Sequence, residues 1–404
     1  MSSPGEIRGI EVHPAPKYPV LAFRDILHAI AYPPGSTMSQ SRFTATRRSF
    51  VAGAFAATAV ARFARAAANS PFAIPEVDSL ALQVIVDNAA FGPFLPDLKL
   101  PGLAVQRNTA PPAPRMSKHA LMAEFGLSLL ASSRRGSDKR NVLVDFGYSP
   151  EVMANNLSLL GIDATTINAA VLSHGHLDHY GGFPGVFGRS VPAKHLPLFV
   201  GGEETFCERV AMIGSPPPVM GTLDRKELAQ AGLDVKIAAE PAVVADHAFT
   251  TGLIPLDTFE RAAIPTQMHP GVGCDAAGLS AGKRGATQLA DDGEHELATC
   301  YSVKGLGLVV IASCSHRGVL NSVKRAQAIS GQQKVHAVVG GFHLVRPRTE
   351  DEARRTVAEF VKIDPTYIVP MHCTGEVFIA EALRVMPDKI VRPYVGNRFT
   401  FAAG

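Results

Sequence analysis

Four side chains able to bind a metal fall within six residues, His174, His176, Asp178 and His179, in the string His174-Gly175-His176-Leu177-Asp178-His179. The chain has 14 histidines in 404 residues, so chance is a poor explanation for three of them standing this close. Neutral imidazoles with a carboxylate suit a borderline divalent ion, zinc foremost, with manganese or iron as alternatives. Two ions about 3.5–4 Å apart share such a cluster where a water is to be activated as a nucleophile. A histidine-rich surface loop is the competing reading. The short apolar run Ala169–Leu172 argues against it, because a buried strand would deliver Ser173 and the cluster into a fixed loop.

The surrounding text supplies more such strands. Leu80–Val86, Glu124–Leu130, Asn141–Asp145, Gly305–Ala312, Val335–Val339 and Tyr367–Val369 are rich in β-branched and aliphatic residues and read as strands. Pro150–Leu160, closed by Gly161, and the segments Gly318–Ile329 and Glu350–Lys362 have helical spacing. Gly92–Pro114 reads as an irregular surface loop and Ser132–Asp138 as a polar turn. Phe183–Asp246 is less periodic, and Pro216-Pro217-Pro218 is expected to break two helical segments there. The Gly- and Pro-rich stretch Ile264–Gly285, with His269 and Cys274, is long enough to close over a substrate. Strands alternating with helices predict sheet and helix layers around one core rather than two domains.

His-x-His-x-Asp-His at a strand end, after a Val142–Gly147 segment carrying Asp145, resembles the signature of the metallo-β-lactamase superfamily. Gly307–Asn321, Gly340-Gly341-Phe342-His343-Leu344 and Pro370-Met371-His372-Cys373-Thr374-Gly375 follow in that order. With Glu124-Phe125-Gly126-Leu127-Ser128 they resemble the branch of dihydropterin-6-methyl-(ribofuranosyl)aminobenzene-phosphate synthase-like hydrolases, over most of residues 80–400. The resemblance implies an α/β fold, the αββα sandwich of two mixed sheets flanked by helices, and a site for two divalent ions. His174 and His176 would hold one ion, Asp178 and His179 the second, with His372 as the terminal ligand. Asp145 would brace the motif loop, or be an ordinary strand-ending aspartate. Where many members carry Gly-Asp, whose carboxylate bridges both metals, this chain has Ser313-Cys314-Ser315-His316. His316, following a buried strand, is the preferred ligand there, with Cys314 as a thiolate alternative. His343 ends a strand too, and is a ligand, a substrate contact or a packed neighbour of the ligands. Arg317, Arg346 and Arg348 flank the expected site and could grip a phosphate or carboxylate, although isolated arginines near turns are more often solvated.

Bulk properties narrow the class. Hydrophobic residues make up 46% and charged residues 19% of the chain, as a well-buried globular core requires. The net charge is only +3, with no basic block interleaved with aromatics, so nucleic acid is not an expected partner. Five scattered cysteines are no disulfide framework, although they allow one bridge. Near the N-terminus, Arg47-Arg48-Ser49-Phe50 precedes an apolar run, Val51–Val60, then Arg62, Arg65 and small residues through Ala68. That order is expected of a twin-arginine signal peptide over residues 38–68, with translation starting at Met38 and residues 1–37 an artefactual or disordered extension. An amphipathic alanine-rich helix is the alternative. The apolar run falls short of the roughly 20 residues a membrane-spanning helix needs. The expected partners are therefore the twin-arginine export machinery and a small-molecule substrate, with no stable membrane insertion after signal removal and a periplasmic or exported location.

The expected activity of residues 69–404 is hydrolysis of an ester, phosphoester or lactone-type small molecule by a metal-activated water. Asp178 is the expected catalytic residue, holding one metal and helping to orient the nucleophile. Two rivals stand beside this: a group-transfer synthase acting on a pterin-like phosphorylated substrate, and a non-catalytic envelope protein that binds a metal or ligand.

Overall fold

Val142, Leu143 and Val144 alternate between two faces of one strand, and all three are buried. Val142 and Val144 join a cluster that includes Val309, Ile311, Val339 and Val369, whereas Leu143 packs with Met153 and Leu157 of a helix. Leu308 and Val310 likewise face away from Val309 and Ile311, towards Val323, Val357 and Phe378. Strands covered on both faces need apolar residues on both, which is why these segments read as unbroken apolar runs.

The computed structural model describes residues 72–91, 95–111, 117–187 and 195–403. The expected extension (1–37) and signal peptide (38–68) lie outside the described residues. Among those described, a nine-stranded sheet runs in the order Leu233–Ile237, Leu196–Val200, Ala169–Val171, Asp138–Val144, Ser128–Arg135, Ser79–Val86, Arg398–Ala402, Leu103–Gln106, Leu98–Leu100. The facing seven-stranded sheet runs Val243–Val244, Ala248–Thr250, Thr299–Val303, Gly307–Ile311, Val335–Gly340, Tyr367–Pro370, with Glu76–Val77 paired to Thr299–Val303. Each sheet is mixed. Ala169–Val171 lies between parallel neighbours in the first, and Gly307–Ile311, Val335–Gly340 and Tyr367–Pro370 are parallel in the second. A smaller antiparallel sheet, Val219–Gly221, Glu208–Ala211, Thr266–His269 and Leu289–Ala290, stands beside them.

Helix Pro150–Leu159 covers the nine-stranded sheet, starting with Pro150 behind the Ser149 cap. Val319–Ser330, Glu350–Ile363 and Glu376–Val385 cover the other sheet, where Phe342, Phe360 and Phe378 meet. A capping box between Thr349 and Glu352 fixes the start of the second of these. The result is the expected αββα sandwich.

Several local expectations are corrected. Gly92–Pro114 contains the hairpin Leu98–Leu100 and Leu103–Gln106, because Leu103 and Val105 bury against the inter-sheet cluster. The expected strand Glu124–Leu130 begins only at Ser128 and continues to Arg135, through most of the expected polar turn. The polar stretch there is the outer end of a hairpin with Asp138–Val144. The triple proline separates two paired strands, Glu208–Ala211 and Val219–Gly221, and not two helices. Thr266–His269 is a strand, and Cys274 is bonded to Cys207, so the Ile264–Gly285 segment is anchored at both places.

Candidate metal centre

The histidine motif leaves the end of Ala169–Val171 through Leu172 and Ser173. It is not loop throughout: Leu177–Tyr180 forms one helical turn that carries Asp178 and His179. Asp145, at the end of the adjacent strand, is fully buried and sits at a φ of 56°. Its carboxylate accepts from the Ser173 N–H at 2.7 Å, the Ser173 hydroxyl at 2.8 Å and His179 Nδ1 at 2.7 Å. Asp145 thus braces the motif loop and does more than end its strand. Ser315, His343 and His372 also have left-handed φ values of 62°, 42° and 44°. Non-glycine residues in that region at four strand ends around one point mark a site that its surroundings hold under strain.

The hydrogen bonds fix which nitrogen each imidazole presents. Ser173 Oγ donates to Asp145, so it accepts from His174 Nδ1 at 3.0 Å. His174 Nε2 is then bare, buried and without a hydrogen-bond partner. Thr266 Oγ1 donates to Asp291 at 3.1 Å and accepts from His176 Nε2 at 3.2 Å, leaving His176 Nδ1 bare. His316 Nδ1 donates to the Ala263 carbonyl at 3.2 Å, and His372 Nδ1 to Asn88 Oδ1 at 3.4 Å. With His179 donating to Asp145, five imidazoles each turn one N–H outward and keep one lone pair inward. Ligating histidines need this arrangement, because the outward bond selects the tautomer and orients the ring.

The inward atoms form two buried groups. His174, His176 and His316 make one, Asp178, His179 and His372 the other, with the ligand atoms of each lying within 4.8 Å of one another. Cys314 groups with His174 and His179, between the two triads, and again with His343 and Cys373. The structure thus brings together all six residues expected as ligands, and it places Cys314 at the centre beside His316. His343 lies with its ring 4.2 Å from that of His316 and its Nε2 unpartnered.

The electrostatics favour a cation here. Burial, and then the neighbouring imidazoles, hold His174 and His316 well below the usual histidine pKa. Burial also lowers His176, against the pull of Asp291. These three are neutral, as ligands must be. For Asp178 burial works against the carboxylate, but His179, His372 and His176 outweigh it and hold its pKa below the ordinary value. His372 is likewise opposed by burial, yet Cys373 and Asp178 raise it well above the ordinary value. Positive charge is stabilised where Asp178, His179 and His372 converge, so a metal ion there would take the place of the His372 Nε2 proton and free that lone pair.

Other expected residues serve as supports. Arg317 is held by carbonyls: its Nε donates to that of Ile254 at 2.6 Å and its Nη1 to that of Asp292 at 3.1 Å. Buried Arg348 donates to the carbonyls of Arg261 at 2.8 Å and His316 at 3.1 Å, so it holds the His316 turn. Arg346 is exposed. His269 is engaged by Glu208 at 2.8 Å. Sequence reasoning missed the groups that orient the ligands from afar. Glu296 accepts the backbone N–H groups of His316 and Arg317 at 2.8 and 2.7 Å. Asp87 accepts that of His372 at 2.8 Å, and Arg209 clamps Asp291 at 2.6 Å. Isolated acidic residues far apart in the chain carry no sequence signal for these contacts.

A cleft of about 430 Å³ reaches the cluster at His343, His372 and Cys373, with Phe125, Asn88 and Arg392 on its walls. Phe125 is 59% exposed, with its ring 4.8 Å from that of His372. The cluster is therefore reached from solvent. A second cavity, of about 360 Å³, lies between Gly201–Glu204 and Gly278–Ser280 and is lined by no triad residue.

Comparison with known proteins agrees with this geometry. The metallo-beta-lactamase superfamily profile matches residues 129–285, the stretch that holds Asp145 and the whole motif. That stretch carries the fold and the motif of the metallo-β-lactamase superfamily. The chain is 29% identical over 257 residues to a 7,8-dihydropterin-6-methyl-4-(beta-D-ribofuranosyl)-aminobenzene-5'-phosphate synthase of Methanocaldococcus jannaschii, covering 63% of this chain and 82% of that one. An uncharacterized protein of the same organism is 25% identical over 256 residues, covering 63% and 85%. The fold is shared with the crystal structure of a metal-dependent hydrolase of the beta-lactamase superfamily, at a TM-score of 0.57 and 24% identity, over 79% of this chain and 98% of that one. The matched stretch and the buried histidine clusters agree on a metal-dependent hydrolase-like fold.

Proposed function

We propose that this protein hydrolyses an ester, phosphoester or lactone-type small molecule with two divalent ions, zinc foremost. The observation that supports it most is the pair of facing triads, in which every imidazole turns one N–H outward and one lone pair inward. The donors fit such ions: three neutral imidazoles on one side, two imidazoles and a carboxylate on the other, and a bare buried nitrogen on His174 that has no other use. His174, His176 and His316 would hold one ion and Asp178, His179 and His372 the other. When bound, the ions supply Lewis acidity and lower the pKa of water towards 7.

The chain's own residues do the rest. Asp145, Thr266 and Asn88 fix the tautomers of the ligating rings. Asp178, held as a carboxylate, accepts a hydrogen bond and so orients the attacking water. His343 Nε2, buried at the inner end of the cleft and unpartnered, stands where a substrate oxygen or leaving group enters. Metal analysis by inductively coupled plasma mass spectrometry tests the reading. About two equivalents, lost in a His174→Ala/His176→Ala variant, are expected. No bound metal after divalent ions are supplied refutes it and favours the non-catalytic ligand-binding rival.

The activity named for the relative favours a second reading, a group-transfer synthase on a pterin-like phosphorylated substrate. It predicts turnover only when a second substrate is present. We also propose export by the twin-arginine route to the periplasm or beyond. The Cys207–Cys274 bridge supports it, since structural disulfides persist in oxidising compartments. N-terminal peptides of native material beginning before Met38 would refute the expected start.

A further inference from the structure

Cys314 and Cys373 come from the ends of two strands, Gly307–Ile311 and Tyr367–Pro370, that are not neighbours in the sheet. Val335–Gly340 runs between them. Their sulfurs nevertheless lie 3.1 Å apart. The approach passes over Gly340 and Gly341 at the end of the central strand. A β-carbon on Gly341 would stand 2.9 Å from Cys373 Sγ and 2.6 Å from the Ser313 carbonyl, and one on Gly340 2.1 Å from that of Ala312. The paired glycines thus leave the space in which the two thiols meet.

We propose that Cys314 and Cys373 are a redox-modifiable dithiol that closes to a disulfide and, in closing, weakens the metal centre. Closing requires the sulfurs to approach by about 1 Å, to the roughly 2.05 Å of a disulfide. Cys373 lines the cleft, so a small-molecule disulfide such as oxidised glutathione reaches it first. The Cys373 thiolate attacks one sulfur of that disulfide, forming a mixed disulfide and expelling one glutathione thiolate. Cys314, having lost its proton, then attacks Cys373 Sγ and expels the second glutathione thiolate. The two cysteines lose two electrons in total, the oxidised glutathione gains them, and the two cysteine protons pass to the released thiolates. The product ties up Cys314 Sγ, which otherwise stands with His174 and His179 between the triads. The remaining thiol is a built-in control, since Cys300 is buried and has no thiol partner, and Cys207 is already bonded to Cys274.

The effect on metal rests on the two-ion reading, but the test separates the two. Full-length protein, metal-loaded and chelator-stripped, is incubated with oxidised glutathione, then analysed by free-thiol count, intact mass, peptide mapping and metal uptake. The expected result in the stripped protein is a fall from three free thiols to one, with a Cys314–Cys373 peptide. Metal uptake should drop about tenfold or more and return with dithiothreitol. Cys373→Ser should keep Cys314 free under the same treatment, and bound metal should slow the closure. Three persistent thiols in the stripped protein, a bridge involving Cys300, or a bridge that leaves metal uptake unchanged would overturn the proposal. Protein that takes up no metal in any state refutes the hydrolase reading, and with it the effect on metal, while the thiol count still decides whether the bridge forms.

Discussion

Replacing Asp145 by asparagine isolates the charge of the brace, because asparagine has the same shape and tolerates the left-handed φ of 56° found there. In the native protein one carboxylate oxygen accepts from the Ser173 N–H, and the other from both the Ser173 hydroxyl and His179 Nδ1. The amide can still accept at the first position. At the second it places an N–H group against two donors. Either the Ser173 hydroxyl and the His179 ring turn, or His179 changes tautomer and puts its proton on Nε2, the atom that faces Asp178 and His372. Hydrogen bonds to a charged group are worth about 1.5–3 kcal/mol each, and loss of such an outer partner costs about 10–100-fold in metal affinity or activity. A hundredfold loss corresponds to about 2.7 kcal/mol, so the two scales agree. Competition with a chromophoric chelator should therefore show one ion per chain weakened by about 10–100-fold, with the fold intact by circular dichroism. Affinity for both ions within about twofold of the parent would refute the claim that Asp145 sets the His179 tautomer.

Further outcomes are expected. Arg348→Ala should destabilise the chain by about 2–4 kcal/mol, since it strips the donor from the Arg261 and His316 carbonyls, and calorimetry reads this directly. Both bonds come from Nη2, so Arg348→Lys, whose shorter stem stops the ammonium short of that position, should recover little of the loss, and full recovery would show that charge alone matters. The metal-free protein should lose stability as pH falls below about 6.5, the ordinary histidine value. There the unfolded chain binds protons that folded His174 and His316 refuse, while raised His372 is protonated in both states and adds no further compensation; a flat chemical-denaturation midpoint between pH 7 and 5 would contradict it. Cys207→Ala/Cys274→Ala should lower stability by about 2–5 kcal/mol, because the bridge closes a loop with a sequence separation of 67. Equal melting temperatures for the parent and this variant would show that the loop is held by its strand pairing instead.

Elements whose signals are local are legible in the chain alone. The apolar runs at Leu80–Val86, Gly305–Ala312, Val335–Val339 and Tyr367–Val369, and the helices around 150–160, 318–329 and 350–362, are legible because burial on both faces or on one stripe leaves a pattern within ten residues. The motif from His174 to His179 is legible for the same reason, as four donors share one short segment. The resemblance then supplied His372. What depends on distant segments was not legible. The hairpin Leu98–Gln106 and the pairing across the triple proline arise because a facing surface needs covering, which no local propensity states. The reach of Arg348 to the His316 turn, of Asp291 to Thr266 and of Glu296 to two backbone N–H groups spans up to tens of residues and joins separate elements. A buried carboxylate or guanidinium takes its role from what surrounds it in space. That Arg317 and Arg348 are supports, that Cys207 pairs with Cys274, and that Cys314 meets Cys373 over two glycines follows from packing between distant segments. Strand order and register, set by packing between the two sheets, bring those groups together.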